Sequence, residues 1–415
     1  RTRPDSRHLT EFYLWLSLGG VLGGLFNALV APLAFNGVVE YPLVLVMACL
    51  LRPASVAPRK SAWLPLRWRD ALLALGVGGV TAALALAFRF FRVDLGRFTA
   101  GALFALPLVL VYTLQARPAR HALAVAALLL AAVLYPGVHG AALYRTRTFF
   151  GVHRVTLDPT GRFRVLVHGN TVHGKESVDP EHQGEPLTYY HRTGPAGRTF
   201  TALKGDRRLD RVGLVGMGTG SLCAYAEPRQ RWTFYEIDLA VVYIARDSGL
   251  FTFFADCNKR CGREPAVVLG DARLTLGRSD EKYGVLVVDA FSSDAIPVHL
   301  LTREALAVYR AHLDDDGVLL FNISNRYLDL EPVLAELAAD ADPPLTCVAW
   351  PDLFGEEGSG KSASHWVMMS ASPEALKKAR GTGPWRPARR RPGLAAWRDD
   401  YSNLLGVIKW RPELD

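Results

Sequence analysis

An apolar helical module placed in a bilayer, then a small β-rich domain, then an α/β domain built on a parallel sheet is the architecture this 415-residue sequence predicts. Three observations carry it. Residues 9–139 hold most of the long apolar runs; after Tyr144 short stretches alternate apolar and polar residues; and from about residue 206 strand and helix patterns alternate, which makes a parallel sheet with helices on both faces. The predicted division is 1–143 for the membrane helices, 144–205 for the β-rich domain, 206–375 for the α/β domain and 376–415 for an Arg- and Pro-rich C-terminal segment.

The run LTEFYLWLSLGGVLGGLFNALVAPLAF (9–35) is long enough to span a bilayer, and Gly19, Gly20, Gly23 and Gly24 supply a small-residue face on which membrane helices can touch. Residues 70–88, 98–115 and 121–139 each approach the roughly 20 apolar residues that a span requires. The segment 38–51 is shorter and carries Glu40 and Pro42, so it spans, kinks or lies at the interface, giving four or five spans in all. Glu11 and Glu40, near helix ends, are expected to face headgroups. Arginines occur in loops on both sides and do not assign an orientation. Residue 1 is Arg, and no charged n-region with a cleavage site follows, so Arg1–Thr10 does not read as a signal peptide. The chain is expected to be the C-terminal part of a longer membrane protein.

The formal net charge of +8 fits nucleic acid, a membrane surface or arginines flanking membrane helices. The arginines cluster at helix ends (Arg52, Arg67, Arg69, Arg89, Arg92, Arg117, Arg120) and in RPARRRP (386–392), with no nucleic-acid motif around them, so the membrane reading is preferred and nucleic acid is excluded as a partner. Cys49, Cys223, Cys257, Cys261 and Cys347 form no paired CxxC sets and have no His at zinc spacing, so no metal is expected. Cys257 and Cys261 are read as two free thiols in a loop.

In the second region GRFRVLVHGNTVHG (161–174) reads as a β-hairpin around His168, Gly169 and Asn170, and the Gly- and Pro-rich DPEHQGEPLTYYHRTGPAG after it reads as a structured loop. In the third, strands are expected near 211–216, 231–236, 265–269, 284–289, 317–323, 346–350 and 365–370. The stretch LVGMGTGSLCAYAE (214–227) is an apolar strand entering a glycine-rich loop and then a helical pattern. Gly216, Gly218 and Gly220 make GxGxG, and Glu236 ends the second strand, where a carboxylate can bind both hydroxyls of a ribose. A nicotinamide fingerprint prefers a third glycine where Ser221 stands, whereas an S-adenosyl ligand, having no pyrophosphate, does without it; the loop therefore favours an adenosyl-sulfonium nucleoside over NAD. VVLGDAR places Asp271 and then Ala272 at the end of the third strand, and VLVVDAFSSD places Asp289 at the end of the fourth. Three carboxylates thus stand where such sheets bind ligands, strand-end capping being the alternative role for Asp271 and Asp289.

Taken together, GMGTG, YEID, GDAR and VVDAFSSD resemble the spermidine synthase (polyamine aminopropyltransferase) family, in particular its membrane-fused bacterial branch, over roughly Phe163–Ala371. The resemblance implies a Rossmann-like, class I methyltransferase-type domain. It implies that Gly216, Gly218, Gly220, Glu236, Asp271 and Ala272 bind decarboxylated S-adenosylmethionine (or S-adenosylmethionine) as a co-substrate, with no tightly bound cofactor. Glu236 would hold the ribose, Asp271 would approach the adenine amine, and Asp289 would be the catalytic Asp. Asp294 resembles the second Asp of the family's Asp-Ser-Ser-Asp motif, with Ala290 and Phe291 intervening. His173, Tyr190 and His191 fall in the amine pocket, and Tyr401 in DDYSN (399–403) belongs to a segment that folds back toward the site. The chain departs from the family in the hairpin, where His168-Gly169 and then His173 replace Asp-Gly and Gln, and at Glu185, two residues away from the family's acidic position before Tyr-His. For His173 and His191 simple pairing with the backbone is the other reading.

The function this implies is a membrane-tethered aminopropyltransferase acting on a small polyamine, in a bacterial inner membrane with the soluble domain cytoplasmic. A homodimer is admitted as an assembly. Two alternatives remain at this point: an S-adenosylmethionine methyltransferase, and a non-catalytic domain sensing a polyamine or nucleoside on a transporter-like protein.

Overall fold

The computed structural model describes residues 5–52, 67–91, 93, 98–135, 137–290, 297–355 and 358–409. The chain divides into two compact units, Arg1–Val152 and His153–Asp415.

The first unit is helical. Helix α1 (Leu9–Leu25) runs through a wide π-helical turn (Phe26–Val30) into α2 (Ala31–Ala34); α3 (Glu40–Leu51), α4 (Trp68–Phe90), α5 (Thr99–Thr113) and α6 (Pro118–Ala132) follow, then strand β1 (Ala141–Thr148). The π turn leads into Pro32, whose missing N–H interrupts the regular ladder there. Two stretches, Ser6–Ala34 and Trp68–Phe90, are long and apolar enough to cross a membrane. Helices α3, α5 and α6, at 12, 15 and 15 residues, are shorter than the ~20 residues of an upright span. Helix α4 packs on α6 closely enough that a Cβ on Gly78 would lie 3.3 Å from that of Ala127, the small-residue contact typical of helices in lipid. Asp70, at the start of α4, caps the Arg67 N–H and pairs with Arg117 at 3.0 Å. Glu40 does not face outward as expected from its place at a helix start: it is 1% exposed and pairs with Arg147 at 2.8 Å. Its partner lies 107 residues on, beyond the reach of any local pattern.

The second unit begins with an antiparallel sheet in which β2 (Gly151–Leu157), β3 (Phe163–His168) and β4 (Thr171–Ser177) are neighbours. His168 pairs with Thr171, so Gly169 and Asn170 form the two-residue turn of the expected hairpin; Gly169 has φ +60°, as a primed turn requires. Helix α7 (Pro195–Ala202) leads to the main sheet, made of β5 (Arg211–Val215), β6 (Arg231–Glu236), β7 (Ala266–Leu269), β8 (Tyr283–Val288), β9 (Leu313–Asn322), β10 (Thr346–Asp352), β11 (Ser364–Ser370) and β12 (Arg386–Pro387). Every expected strand of the α/β domain is present. The spatial order is β12-β10-β11-β9-β8-β5-β6-β7. Strands β7, β6, β5, β8 and β9 are parallel, while β11 is antiparallel to both β9 and β10. The sheet is therefore mixed at one side, the order of the class I methyltransferase fold expected from the sequence. Burial peaks at the centre of the sheet, where all six residues of β8 and four of the five of β5 are buried, as a central parallel strand requires, while the edge strand β7 is partly exposed.

Helices α8 (Leu239–Val242), α9 (Phe253–Cys261), α10 (Ala272–Leu276), α11 (Arg303–Ala311), α12 (Glu331–Asp340) and α13 (Pro373–Arg380) fill the crossovers. One expected helix is missing: after the glycine loop there is only a 3-10 stretch, Ser221–Tyr225, because Pro228 follows and β6 begins by Arg231, too short an interval for a helix. Cys257 and Cys261 are free thiols, as read, but they lie on successive turns of α9 rather than in a loop, with Sγ atoms 3.8 Å apart.

The C-terminal segment is bound to the fold through its arginines. Arg386 and Arg389 engage the buried carboxylate of Glu331, Arg390 that of Glu336, and Arg391 that of Asp329. The RPARRRP run thus neutralises acidic groups at and just before α12 instead of marking a membrane flank. Trp397 and Val407 are fully buried in the same core as Leu286, Tyr309 and Phe321.

Candidate active site

Strand order reverses between β5 and β8: the chain leaves β5 toward β6 on one side and later returns to β8 on the other. In open α/β sheets a crevice forms at the carboxyl ends of such strands. Gly216 follows β5, Glu236 ends β6, Asp271 follows β7, Asp289 follows β8 and Asn322 ends β9, so all five stand on one edge.

The glycine loop owes its shape to two close approaches. Gly216 has φ +93°, and a Cβ there would lie 2.2 Å from the Asp289 carbonyl oxygen. Gly218 has φ +53°, and a Cβ would lie 2.7 Å from the His173 carbonyl oxygen. Only glycine meets both demands. The Met217 N–H donates to Glu236 Oε2 and the Asp238 N–H to Oε1, each at 2.9 Å. These bonds hold the carboxylate beside the loop with lone pairs to spare. Burial raises the Glu236 pKa, against the backbone donors that favour the charge. The Gly270 N–H bonds the Glu236 carbonyl at 2.8 Å, which brings the start of the next loop beside it. Asp271 caps α10 through the Leu274 N–H at 3.0 Å and meets His299 Nε2 at 2.9 Å; Ala272 is the buried first residue of that helix.

Asp289 is held at both carboxylate oxygens. Tyr190 donates its hydroxyl to Oδ2, and Asn322 donates Nδ2 to Oδ1 at 3.0 Å. Asn322 is oriented in turn, its Oδ1 accepting from Ser324 Oγ at 2.6 Å and Ser324 N at 3.0 Å. Burial raises the Asp289 pKa to about 6, the two hydrogen bonds pulling the other way. Burial and the Asp289 charge push the Tyr190 hydroxyl well above its usual value, so it stays a donor. The result is a carboxylate fixed by two neutral donors, ionised at neutral pH and close to taking a proton.

Beside it the small sheet contributes three histidines. His153 and His168 have ring centroids 4.5 Å apart, and those of His168 and His173 are 5.7 Å apart. His153 Nε2 meets Asp238 Oδ2 at 2.8 Å, which ties this sheet to the Glu236 loop. Burial, with the neighbouring His168 and His153, lowers the His173 pKa to about 3, so it is neutral, and its buried Nε2 has no hydrogen-bond partner among the described residues.

Of the residues singled out from the sequence, the glycines, Glu236, Asp271, Ala272 and Asp289 share the strand ends, with Tyr190 on Asp289 and His173 against Gly218. His191 instead turns to Thr193 Oγ1 at 3.0 Å. Tyr401, 47% exposed, lines another cleft with Arg303, Glu336 and Asp340. Asp294 lies outside the described residues. Glu185 is engaged by Arg192 at 2.7 Å. Asn322, Tyr189 and Asp238 were missed. Asn322 had a signal, since it ends the fifth parallel strand, where the same rule that picks out Asp289 applies. Among the described residues no three His, Cys, Asp or Glu are grouped to hold a metal.

No family model matches the chain. A polyamine aminopropyltransferase from Vibrio vulnificus is 35% identical over 160 residues, 37% of this chain and 49% of that protein. A protein from Bifidobacterium longum named as a probable polyamine aminopropyl transferase is 28% identical over 170 residues, 39% of this chain and 33% of its own length. The chain thus spans about half or less of these curated relatives. Among solved structures, that of a probable spermidine synthase from Corynebacterium glutamicum has a TM-score of 0.43 at 15% identity, covering 63% of this chain and 96% of the other.

Proposed function

We propose, on the premise that the chain belongs with the spermidine synthase (polyamine aminopropyltransferase) family, that it is a membrane-tethered aminopropyltransferase using decarboxylated S-adenosylmethionine. The observation that carries this reading is the fixed, raised-pKa carboxylate of Asp289 on the same sheet edge as Glu236 and the Gly216–Gly220 loop. Glu236 takes the ribose hydroxyls, and the loop lets the nucleoside approach the backbone. The sulfonium-bearing carbon then lies toward Asp289.

The acceptor arrives as an ammonium ion and gives one proton to Asp289. Its freed lone pair attacks the methylene carbon next to sulfur; the C–N bond forms as the C–S bond breaks, and the electron pair of that bond neutralises the sulfonium to leave 5′-methylthioadenosine. The leaving group is a neutral thioether and needs no acid. Asp289 later returns its proton to water. A positioned base of this kind contributes about 10²–10⁴ in rate, and holding both reactants in line contributes further. Tyr190 and Asn322 aim the carboxylate, His173 and His191 border the acceptor side, and Asp271 and Ala272 flank the adenine. Asp294 is proposed as a further acceptor contact, whereas Tyr401, which lines another cleft, is not.

The helical unit is proposed to anchor the enzyme in a bacterial inner membrane with the second unit in the cytoplasm, where adenosyl donors are made. The test is a mass-spectrometric product assay with decarboxylated S-adenosylmethionine and a panel of amines. Aminopropylated product with release of 5′-methylthioadenosine supports the reading. Methylated product from S-adenosylmethionine would replace it with a methyltransferase, and nucleoside binding without any product would replace it with a sensor.

A further inference from the structure

One hydrogen bond away from Asp289, past Asn322 and Tyr189, lies a recess of about 290 Å³. Its charges are unlike those a diamine requires. The described residues of its wall include one carboxylate, Asp352, and that is paired with Lys361 at 2.9 Å with both side chains 9% exposed. Two further cations line it, Arg326 and Lys409. Lys409 Nζ donates to the Asn325 carbonyl at 2.9 Å, and among the described residues no acidic side chain pairs with either. The hairpin adds no negative charge: His168 and His173 stand where the family has Asp and Gln, and His173 presents a neutral imidazole whose Nε2 is unpartnered among the described residues. Glu185, the acidic residue just before the Tyr-His pair in sequence, is already engaged by Arg192.

We propose that this recess binds a carboxylate carried by a reactant, held by Arg326 and Lys409. Resting on the aminopropyl-transfer reading, that reactant is the acceptor, because the decarboxylated donor has lost its own carboxylate. The acceptor class is then an amine of amino-acid type, with its reacting nitrogen toward Asp289 and its carboxylate at the far end, where a guanidinium and an ammonium match its charge and geometry. A doubly cationic diamine would place its second ammonium against two cations that no acidic side chain among the described residues neutralises. The transfer step is the one given above, with the C–N bond formed to a side-chain or α-amine of this acceptor and the proton passed to Asp289.

The experiment uses the full chain in lipid nanodiscs. Two acceptor pairs that differ only by a carboxylate, ornithine with putrescine and lysine with cadaverine, are compared by kcat/KM for transfer and by calorimetric binding in the presence of 5′-methylthioadenosine. The expected result is a preference of ten-fold or more for the amino acid in each pair. In Arg326→Ala/Lys409→Ala that preference should vanish through a higher KM for the amino acid, while 5′-methylthioadenosine binding and Tm stay as in the wild type. Arg326→Lys/Lys409→Arg should keep most of it. A preference for the diamines in both assays, no binding of ornithine or lysine, or an amino-acid preference unchanged in the double alanine variant would overturn the proposal. Tighter binding of S-adenosylhomocysteine than of 5′-methylthioadenosine, lost in the double variant, would assign the carboxylate to the donor and so overturn the acceptor class. Loss of all nucleoside binding would sink the underlying reading instead, and a working transferase that prefers diamines would sink only this one.

Discussion

Asp289 combines two properties that pull against each other, a largely desolvated negative charge and, in the proposed reaction, the role of the base. Its pKa is raised from 3.8 to about 6, so between these values the native state holds a proton that the unfolded chain has released. Stability therefore falls as pH rises through this window, and the ionised carboxylate is a net cost to the fold above pH 6. Asp289→Asn should consequently raise Tm at pH 7.5 and leave it unchanged near pH 3, while lowering kcat about 10²–10⁴-fold with 5′-methylthioadenosine affinity retained. Differential scanning calorimetry and the product assay read the two effects separately; an equal fall in Tm and activity would contradict the assignment. The wild-type rate should also decline tenfold per pH unit below about pH 6, where the carboxylate becomes protonated. In the proposed reaction Glu236 has the binding role, not the chemical one. Glu236→Gln should weaken 5′-methylthioadenosine binding by about 1.5–3 kcal/mol, the worth of a hydrogen bond to a charged group, as read by calorimetry. Unchanged affinity would remove Glu236 from the ribose.

At the scale of elements, the strand ends and the C-terminal segment carry different loads. The glycine loop works because β5 and β8 lie side by side, which presses Gly216 against the Asp289 carbonyl. Gly216→Ala should abolish measurable nucleoside binding, since both its φ of +93° and a 2.2 Å approach forbid a Cβ. Gly205→Ala, at φ +71° with nothing within 4 Å, should cost only the ~1–2 kcal/mol of a left-handed residue in stability and leave binding intact. Comparable binding in the two variants would show that the loop does not touch the ligand. The contact of Glu331 with the arginine segment contributes to the acid limit of the fold. Burial opposes its charge, but His365, Arg386 and the Arg389 N–H outweigh this and hold its carboxyl well below the usual range. A depressed folded pKa means that this stabilisation is complete above about pH 4.5 and is lost as pH falls below it. Glu331→Gln should lower Tm at pH 7 and flatten the acid limb of the stability curve. The loss should be about 2–3 kcal/mol, under the ~3–5 of a fully buried pair, because Arg386 and Arg389 can turn to water.

At the scale of the whole molecule, the cytoplasmic assignment is tested with a reporter outside the core. Cys257 cannot serve, being fully buried, whereas the side chain of Lys259 is 78% exposed. Lys259→Cys in intact cells should resist an impermeant thiol reagent until the membrane is opened; ready labelling from outside would reverse the orientation. What the sequence alone determined at this scale is whatever repeats within a few residues. The strands from β5 to β11 were legible from apolar runs bounded by turn residues, and the hairpin from its alternation about Gly169-Asn170. The placement of the glycine loop, Glu236, Asp271 and Asp289 at strand ends was legible because each closes or follows an apolar run. What only the tertiary structure decided depends on partners far apart in the chain. Glu40 pairs with Arg147 and is buried; the arginines of 386–391 serve Glu331, Glu336 and Asp329 rather than a membrane surface; and Asn322 completes the grip on Asp289. Strand formation is set by local side-chain pattern, but the environment of a charge is set by whatever the fold packs against it, and no spacing along the chain records that.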